Sequence, residues 1–172
     1  MDQSEVDCII RSVCSMRSGR PIGNGKAPSS TPLKEPEELK PTGQAAKQLE
    51  ALFSGDELIT FVTNYREETE GKWKPASKGF GRVAYSVIRD LRTASSFEEV
   101  FADYNPKAGI HFCVNPMNKL GERKRENVKA FRTVLVEYDD IPKEEQVRRY
   151  LKSGLPIYSI TDSGGKSVHA LV

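Results

Sequence analysis

Cysteine is scarce in this sequence, and the spacing of the cysteines excludes two classes of small protein. Cys8, Cys14 and Cys113 are odd in number, and no two of them form a Cys-x-x-Cys pair. Disulfide scaffolds need paired cysteines, and cysteine-based zinc sites need closely spaced ones. We therefore exclude both classes and predict a reducing, cytoplasmic compartment.

Long apolar runs are also missing, and so is a basic leader. No run approaches the ~20 apolar residues that a bilayer crossing needs. The opening MDQSEVDCII has acidic residues where a secretory signal has Lys or Arg. We therefore predict no membrane partner and no export. The balance of 26 Lys and Arg against 24 Asp and Glu neither requires nor excludes nucleic acid, because a basic groove can exist within a near-neutral total.

Aromatic residues are absent from the first 52 positions, since all seven Phe, six Tyr and the one Trp lie from Phe53 onward. A core without aromatic side chains buries little area per residue, so we predict that this part is peripheral. Apolar residues at helical spacing predict an amphipathic helix within residues 1–18. Residues 19–43 hold five of the ten prolines and are typical of a flexible linker.

Residues 44–172 carry the signals of a folded domain. Within it, the apolar spacing of residues 58–63 fits either a helix or a strand, and their β-branched residues favour a strand. The predicted helices are 44–53, 82–93 and 143–154, the last one capped by Gly154. The predicted strands are 58–63, 109–116, 130–140, 156–163 and 166–172, and the predicted loops are 71–79, 103–109 and 118–127. The order of these elements predicts an α+β domain, with helices packed on one face of a mainly antiparallel sheet.

Two acidic residues, Glu137 and Asp139, lie two positions apart in the predicted strand 130–140. Side chains alternate along a strand, so both carboxylates point to one face of the sheet, and Val136 and Tyr138 point to the other. Neighbouring carboxylates repel each other unless a cation lies between them, and oxygen ligands suit Mg²⁺ or Mn²⁺. The alternative is that both acids mark the frayed end of the strand.

The last predicted strand repeats this geometry with Ser167 and His169, after the turn Ser163–Gly164–Gly165–Lys166. Glycines let backbone N–H groups approach an anion closely, and Lys166 adds a positive charge. This pattern indicates a phosphate site, and its alternative is a hairpin turn without a ligand. If the two strands are neighbours, acids and phosphate-binding groups share one face, as nucleotidyl transfer requires.

VLVEYD at 134–139 and KSVH at 166–169 resemble two motifs of the archaeo-eukaryotic primase superfamily, the primase-polymerases of archaea, eukaryotes, plasmids and phages. The stretch 109–172 looks like the N-terminal primase-polymerase module of phage and mobile-element replication proteins, and 56–108 matches more loosely. The resemblance implies an RRM-like sheet in a partial catalytic domain over 44–172.

That resemblance also implies a function: a DNA primase and polymerase that joins nucleoside triphosphates on a DNA template during replication, with a helicase as a further partner. Glu137 and Asp139 would bind catalytic Mg²⁺ or Mn²⁺. Ser167 and His169 would contact the triphosphate, with Lys166 helping. The family's third motif, a later acidic residue, has no counterpart before Val172, so we expect the chain to be inactive alone.

Two other functions are compatible with the same residues. A non-catalytic RRM-like module would bind single strands or nucleotides, but it would need exposed aromatic residues on its central strands. A metal-dependent nuclease would need a Lys or further acids beside Glu137. The residues Lys119–Arg125 and Arg132 either line a template groove or are simply solvated. We expect Trp73 to be buried under a helix rather than stacked on a base, and His111 to be structural.

Overall fold

The computed structural model describes residues 9–10, 40–70, 72–76, 78–163 and 165–172, and over these it has an α+β fold, as predicted. In chain order the elements are β1 (Ile9–Ile10), α1 (Pro41–Leu52), β2 (Leu58–Val62), β3 (Tyr65–Thr69), β4 (Lys72–Pro75), β5 (Phe80–Val83), α2 (Ala84–Thr93), β6 (Ile110–Phe112), β7 (Leu135–Val136), α3 (Lys143–Lys152), β8 (Ser159–Asp162) and β9 (Val168–Leu171). All pairs between these strands are antiparallel.

The main core lies between the first sheet, ordered β1-β6-β2-β5, and the helices α1 and α2. Alternate residues of β2 point into this core, and Ile59 and Phe61 are fully buried there. Leu49 of α1 and Val87 of α2 are also fully buried, because each helix repeats its apolar residues on one side. The Thr42 hydroxyl donates to the Ala94 carbonyl at 3.0 Å and joins the start of α1 to the end of α2.

The opposite face of the first sheet is covered by a loop, residues 117–128, instead of a helix. Met117 bridges Leu58 on one side and Val128 on the other. A Cβ on Gly81 would lie 2.6 Å from Cα of Leu120, so the loop approaches β5 as closely as only glycine permits. The predicted charged loop is therefore a packed segment, with one 3₁₀ turn at Arg125–Asn127.

The second sheet has the order β7-β9-β8, with α3 on one face. Val136, Val168 and Ala170 pack against Tyr150 of α3. The helix ends as predicted, with Gly154 at φ +69°.

Within the predicted N-terminal helix (1–18) and linker (19–43), the structure describes only residues 9–10 and 40–43. The helix predicted within 1–18 is wrong at Ile9–Ile10, which pair with β6 as a short strand, and its other residues lie outside the described part. Of the predicted linker 19–43, residues 41–43 already belong to α1. Pro41 has the fixed φ and the missing N–H that suit the first turn of a helix. Residues 19–39 lie outside the described part.

Three boundaries in the domain also differ from prediction. The loop predicted over 71–79 contains β4, which forms a hairpin with β3. The helix predicted from 82 begins at Ala84, because residues 80–83 pair with β2. The strand predicted over 130–140 is shorter: Leu135–Val136 pair with β9, and just before them Val134 exchanges two backbone hydrogen bonds with Val172. No helix among the described residues has both the length and the apolar character to span a bilayer.

Candidate functional site

The sheet register brings the two predicted motifs together, because β7 and β9 are neighbours. Leu135 pairs with Leu171 and Val136 with Ala170. Continuing this register places Glu137 opposite His169 on the face away from α3. The prediction that the acids, the serine and the histidine share one face of adjoining strands is therefore confirmed.

Direct contacts join the motifs pairwise. The His169 Nε2 lies 3.0 Å from Glu137 Oε2, and the Ser167 hydroxyl donates to Asp139 Oδ1 at 2.7 Å. Glu137 and Asp139 are exposed, whereas Ser167 and His169 are 6% and 3% exposed. Each carboxylate thus has one oxygen against a buried partner, while the carboxylate as a whole faces solvent.

The His169 ring is held in its neutral form. Burial lowers its pKa, and this outweighs the opposite effect of the Glu137, Asp139 and Asp162 carboxylates. A neutral ring that contacts Glu137 through Nε2 donates that N–H to the carboxylate. The Nδ1 atom is then a bare acceptor, and it is buried without a hydrogen-bond partner in the described part of the protein.

Helix α3 holds the strands on the other side of this site. The Tyr150 hydroxyl lies 3.0 Å from the Val136 carbonyl and 2.8 Å from the Val168 carbonyl, at the point where β7 leaves β9. Burial raises the pKa of Tyr150 to about 12, so the hydroxyl keeps its proton and remains a donor. Tyr150 therefore holds Val136 beside Val168, next to the point where Glu137 and His169 meet across the two strands.

The sequence reasoning missed Gln146, which is fully buried on α3. Its amide accepts from the Val168 N–H at 2.7 Å and donates to the Ile141 and Lys166 carbonyls. A polar residue gives no signal in an apolar pattern, so periodicity does not reveal it. On the same helix Tyr150 is buried, whereas Leu151 is 73% exposed.

In the turn before β9, the Ser163 side chain forms its hydrogen bonds within the turn. The Ser163 hydroxyl donates to the Ser167 carbonyl at 2.6 Å and accepts from the Gly165 N–H at 3.3 Å. Gly165 has no positive φ, Lys166 is exposed, and Gly164 lies outside the described residues. The turn precedes Ser167 directly, and its predicted role in binding a phosphate stays a prediction.

The donors present suit part of a divalent cation site. No group of three or more His, Cys, Asp or Glu side chains in the described part is placed to hold a metal ion. Mg²⁺, however, is commonly bound through one or two carboxylates, with water and substrate phosphates completing its shell. Glu137 and Asp139 fit that more limited role.

Other candidate residues lie elsewhere. His111 is in contact with the Tyr65 hydroxyl, which agrees with a structural role. Trp73 lies on the β3–β4 hairpin and is half-buried, so the expected burial under a helix is wrong. Arg132 forms an ion pair with Glu57.

Comparison of the chain with protein-family models, curated proteins and solved structures found no match.

Proposed function

We propose that this chain contains the nucleotide- and metal-binding part of a primase-polymerase, a cytoplasmic nucleotidyltransferase that joins nucleoside triphosphates on a DNA template. The observation that carries the proposal is the meeting of Glu137 and Asp139 with His169 and Ser167 across β7 and β9. These residue types match the two motifs that the sequence resembles.

The exposed carboxylates are the proposed cation ligands. Glu137 and Asp139 follow a paired strand and face solvent, so an ion can approach them without unfolding the sheet. A divalent cation in such enzymes activates the attacking hydroxyl and stabilises the leaving pyrophosphate.

Ser167 and His169 orient the carboxylates in the present arrangement. Each occupies one carboxylate oxygen, which limits the rotamers of Glu137 and Asp139 in the way that outer partners orient metal ligands. Contact of His169 with a triphosphate, which the resemblance implies, requires the ring to become accessible, because it is 3% exposed. In our proposal the exposed Lys166 is the group that a triphosphate would meet, and His169 would contact a phosphate oxygen only with a proton on its buried Nδ1.

The test is binding of Mn²⁺, measured from the electron paramagnetic resonance signal of the free ion, with and without a nucleoside triphosphate. The 172-residue chain should bind Mn²⁺, and the nucleotide should strengthen this binding. Glu137→Gln combined with Asp139→Asn should abolish it. The matched control is Glu98→Gln combined with Asp103→Asn, which removes the same charge from exposed acids elsewhere. Equal binding by both double variants would refute the cation site.

A second measurement separates orientation from coordination. Ser167→Ala leaves both carboxylates in place and removes only the hydrogen bond to Asp139. Loss of an outer partner weakens metal affinity by roughly 10-fold or more, so we expect weaker Mn²⁺ binding with an unchanged number of sites. An unchanged affinity would mean that Ser167 does not position Asp139.

A further inference from the structure

We infer that the loop 118–129, with Phe131 at its end, is a binding surface for single-stranded nucleic acid. This loop is called the basic loop below. As the template surface of the polymerase it rests on the proposed function, but its binding is tested without nucleotide or metal. The first observation is the charge of this loop, which is +3 in a chain whose net charge is +2. The loop has two acids, Glu122 and Glu126, and five basic residues: Lys119, Arg123, Lys124, Arg125 and Lys129.

Backbone hydrogen bonds order the basic loop. The Asn118 N–H donates to the Asn127 carbonyl at 2.7 Å, and the Lys129 N–H donates to the Pro116 carbonyl at 2.7 Å. On the inner side, the Thr60 hydroxyl donates to the Glu122 carbonyl at 3.3 Å. The loop is thus anchored on the first sheet through its backbone groups.

The acids of the loop do little to neutralise it. Glu122 turns inward and accepts from the buried Asn127 amide at 2.5 Å. Glu126 is exposed, 3.9 Å from Lys124, in a pair whose side chains are 65% and 70% exposed. An exposed pair of this kind is weak and screened by salt. Among the described residues, Lys119, Arg125 and Lys129 form no ion pair, and all three are exposed.

The position of the basic loop leaves its cations accessible. The helices α1 and α2 pack on the other face of the first sheet, so neither of these two helices covers the loop. Exposed cations on an ordered loop can neutralise the charges of a phosphodiester backbone.

An aromatic residue beside the cations favours a single strand over a duplex. The Phe131 side chain is 65% exposed, two positions after Lys129. An exposed aromatic ring close to cations is a common platform on which unpaired bases stack. Bases in a duplex are already stacked on each other and do not offer their faces.

The experiment measures binding of a fluorescent oligothymidylate by anisotropy over a range of salt concentrations. For single strands, each phosphate contact contributes about 0.7 to the slope of log affinity against log salt. Lys124→Gln, Arg125→Gln and Lys129→Gln together should therefore lower that slope by about 2, and the affinity at 0.1 M salt by about 100-fold. Phe131→Ala should lower the affinity by about 10-fold and leave the slope unchanged.

The matched control carries Arg148→Gln, Arg149→Gln and Lys152→Gln, which remove the same charge from exposed positions of α3. It should bind like the unmodified chain. Equal losses in the two triple variants would overturn the proposal, because binding would then reflect total charge only. Binding of vesicles that contain phosphatidylserine, without binding of the oligonucleotide, would overturn it in favour of a membrane surface.

The same assay distinguishes this proposal from the proposed function. Glu137→Gln combined with Asp139→Asn should leave oligonucleotide binding intact, because those acids lie outside the basic loop. Loss of Mn²⁺ binding with retained strand binding supports both proposals. If the unmodified chain binds the oligonucleotide but does not bind Mn²⁺, the proposed function is refuted, and the proposal that the basic loop binds single strands is supported.

Discussion

The segment from Arg132 to Asp139 has charged residues at both ends, and the two ends differ in how completely their charges are paired. At the first end, Arg132 binds both oxygens of Glu57 and also the Leu52 carbonyl. The Glu57 side chain is 7% exposed, and the Ser54 N–H donates to it at 2.8 Å. At the other end, Asp139 is exposed and has one hydrogen bond, from Ser167.

This difference separates structural charge from charge that is open to a ligand. A buried ion pair with all its oxygens occupied offers nothing to an incoming group, and its loss leaves an uncompensated charge. Exposed carboxylates above a buried histidine, whose Nδ1 has no partner among the described residues, are incompletely paired. Such incomplete pairing costs stability and is expected where a ligand completes the set.

The largest effect on stability is expected at the structural end. Arg132→Leu leaves Glu57 buried with the Ser54 amide as its partner. Breaking a fully buried pair costs ~3–5 kcal/mol, and because the Arg132 side chain is 39% exposed we expect a loss of about 2 kcal/mol. Urea denaturation at pH 7 measures it. A loss no larger than that of Asp139→Asn would remove the distinction between the two ends.

The same pair predicts a dependence on pH. Burial by itself raises the pKa of Glu57, but the hydrogen bond and charge of Arg132 and the Ser54 amide hold it below its usual value of 4.5. A depressed folded-state pKa contributes stability that is fully present above the unfolded-state value and is lost as the pH falls through the folded-state pKa. The stability difference between the unmodified chain and Arg132→Leu should therefore shrink below about pH 4.5. A difference that stays constant down to pH 3 would contradict this assignment.

An intermediate effect is expected from the hydroxyl that lies behind the candidate site. Tyr150→Phe keeps the packed ring and removes the donor to the Val136 and Val168 carbonyls. Loss of one buried hydrogen bond costs about 1 kcal/mol. The control is Tyr158→Phe, because that side chain is 52% exposed. Equal urea midpoints for the two variants would mean that the Tyr150 hydroxyl does not hold β7 against β9.

The smallest effect is expected at the exposed acids. Asp139→Asn keeps an oxygen that accepts from Ser167 and removes one of two neighbouring negative charges. Changes at exposed positions are usually within about 0.5 kcal/mol, and relief of repulsion with Glu137 acts in the stabilising direction. A loss above about 1 kcal/mol would make Asp139 a structural residue like Glu57.

The periodicity of apolar and polar residues was sufficient to predict most of the helices and strands. It was also sufficient to predict which candidate site residues share a face of their strand. Strand alternation predicted that Glu137 and Asp139 share a face, and it predicted the same for Ser167 and His169. Helical spacing predicted α1, α2 and α3 to within a few residues. These predictions succeeded because each depends on neighbours in the chain.

Predictions that depended on distant partners failed. The strand expected over 130–140 is shortened because Asn115 captures the backbone of Thr133, accepting from its N–H at 2.9 Å and donating to its carbonyl at 2.9 Å. The loop predicted over 71–79 contains β4, because the exposed strands of the β3–β4 hairpin lack the apolar face that would indicate a strand. Neither the Asn115 contact nor the burial of Gln146 leaves a pattern in the local sequence.

By itself, the sequence determined which side chains alternate and repeat, because those periods follow from the backbone geometry of strands and helices. It therefore determined an α+β fold and the two facing pairs of polar residues. Only the tertiary structure decided that β7 lies beside β9, that His169 is buried under an exposed Glu137, and that Arg132 pairs with Glu57. Strand order, burial and ion pairing join residues far apart in the chain, and such contacts form only when the whole core closes around them.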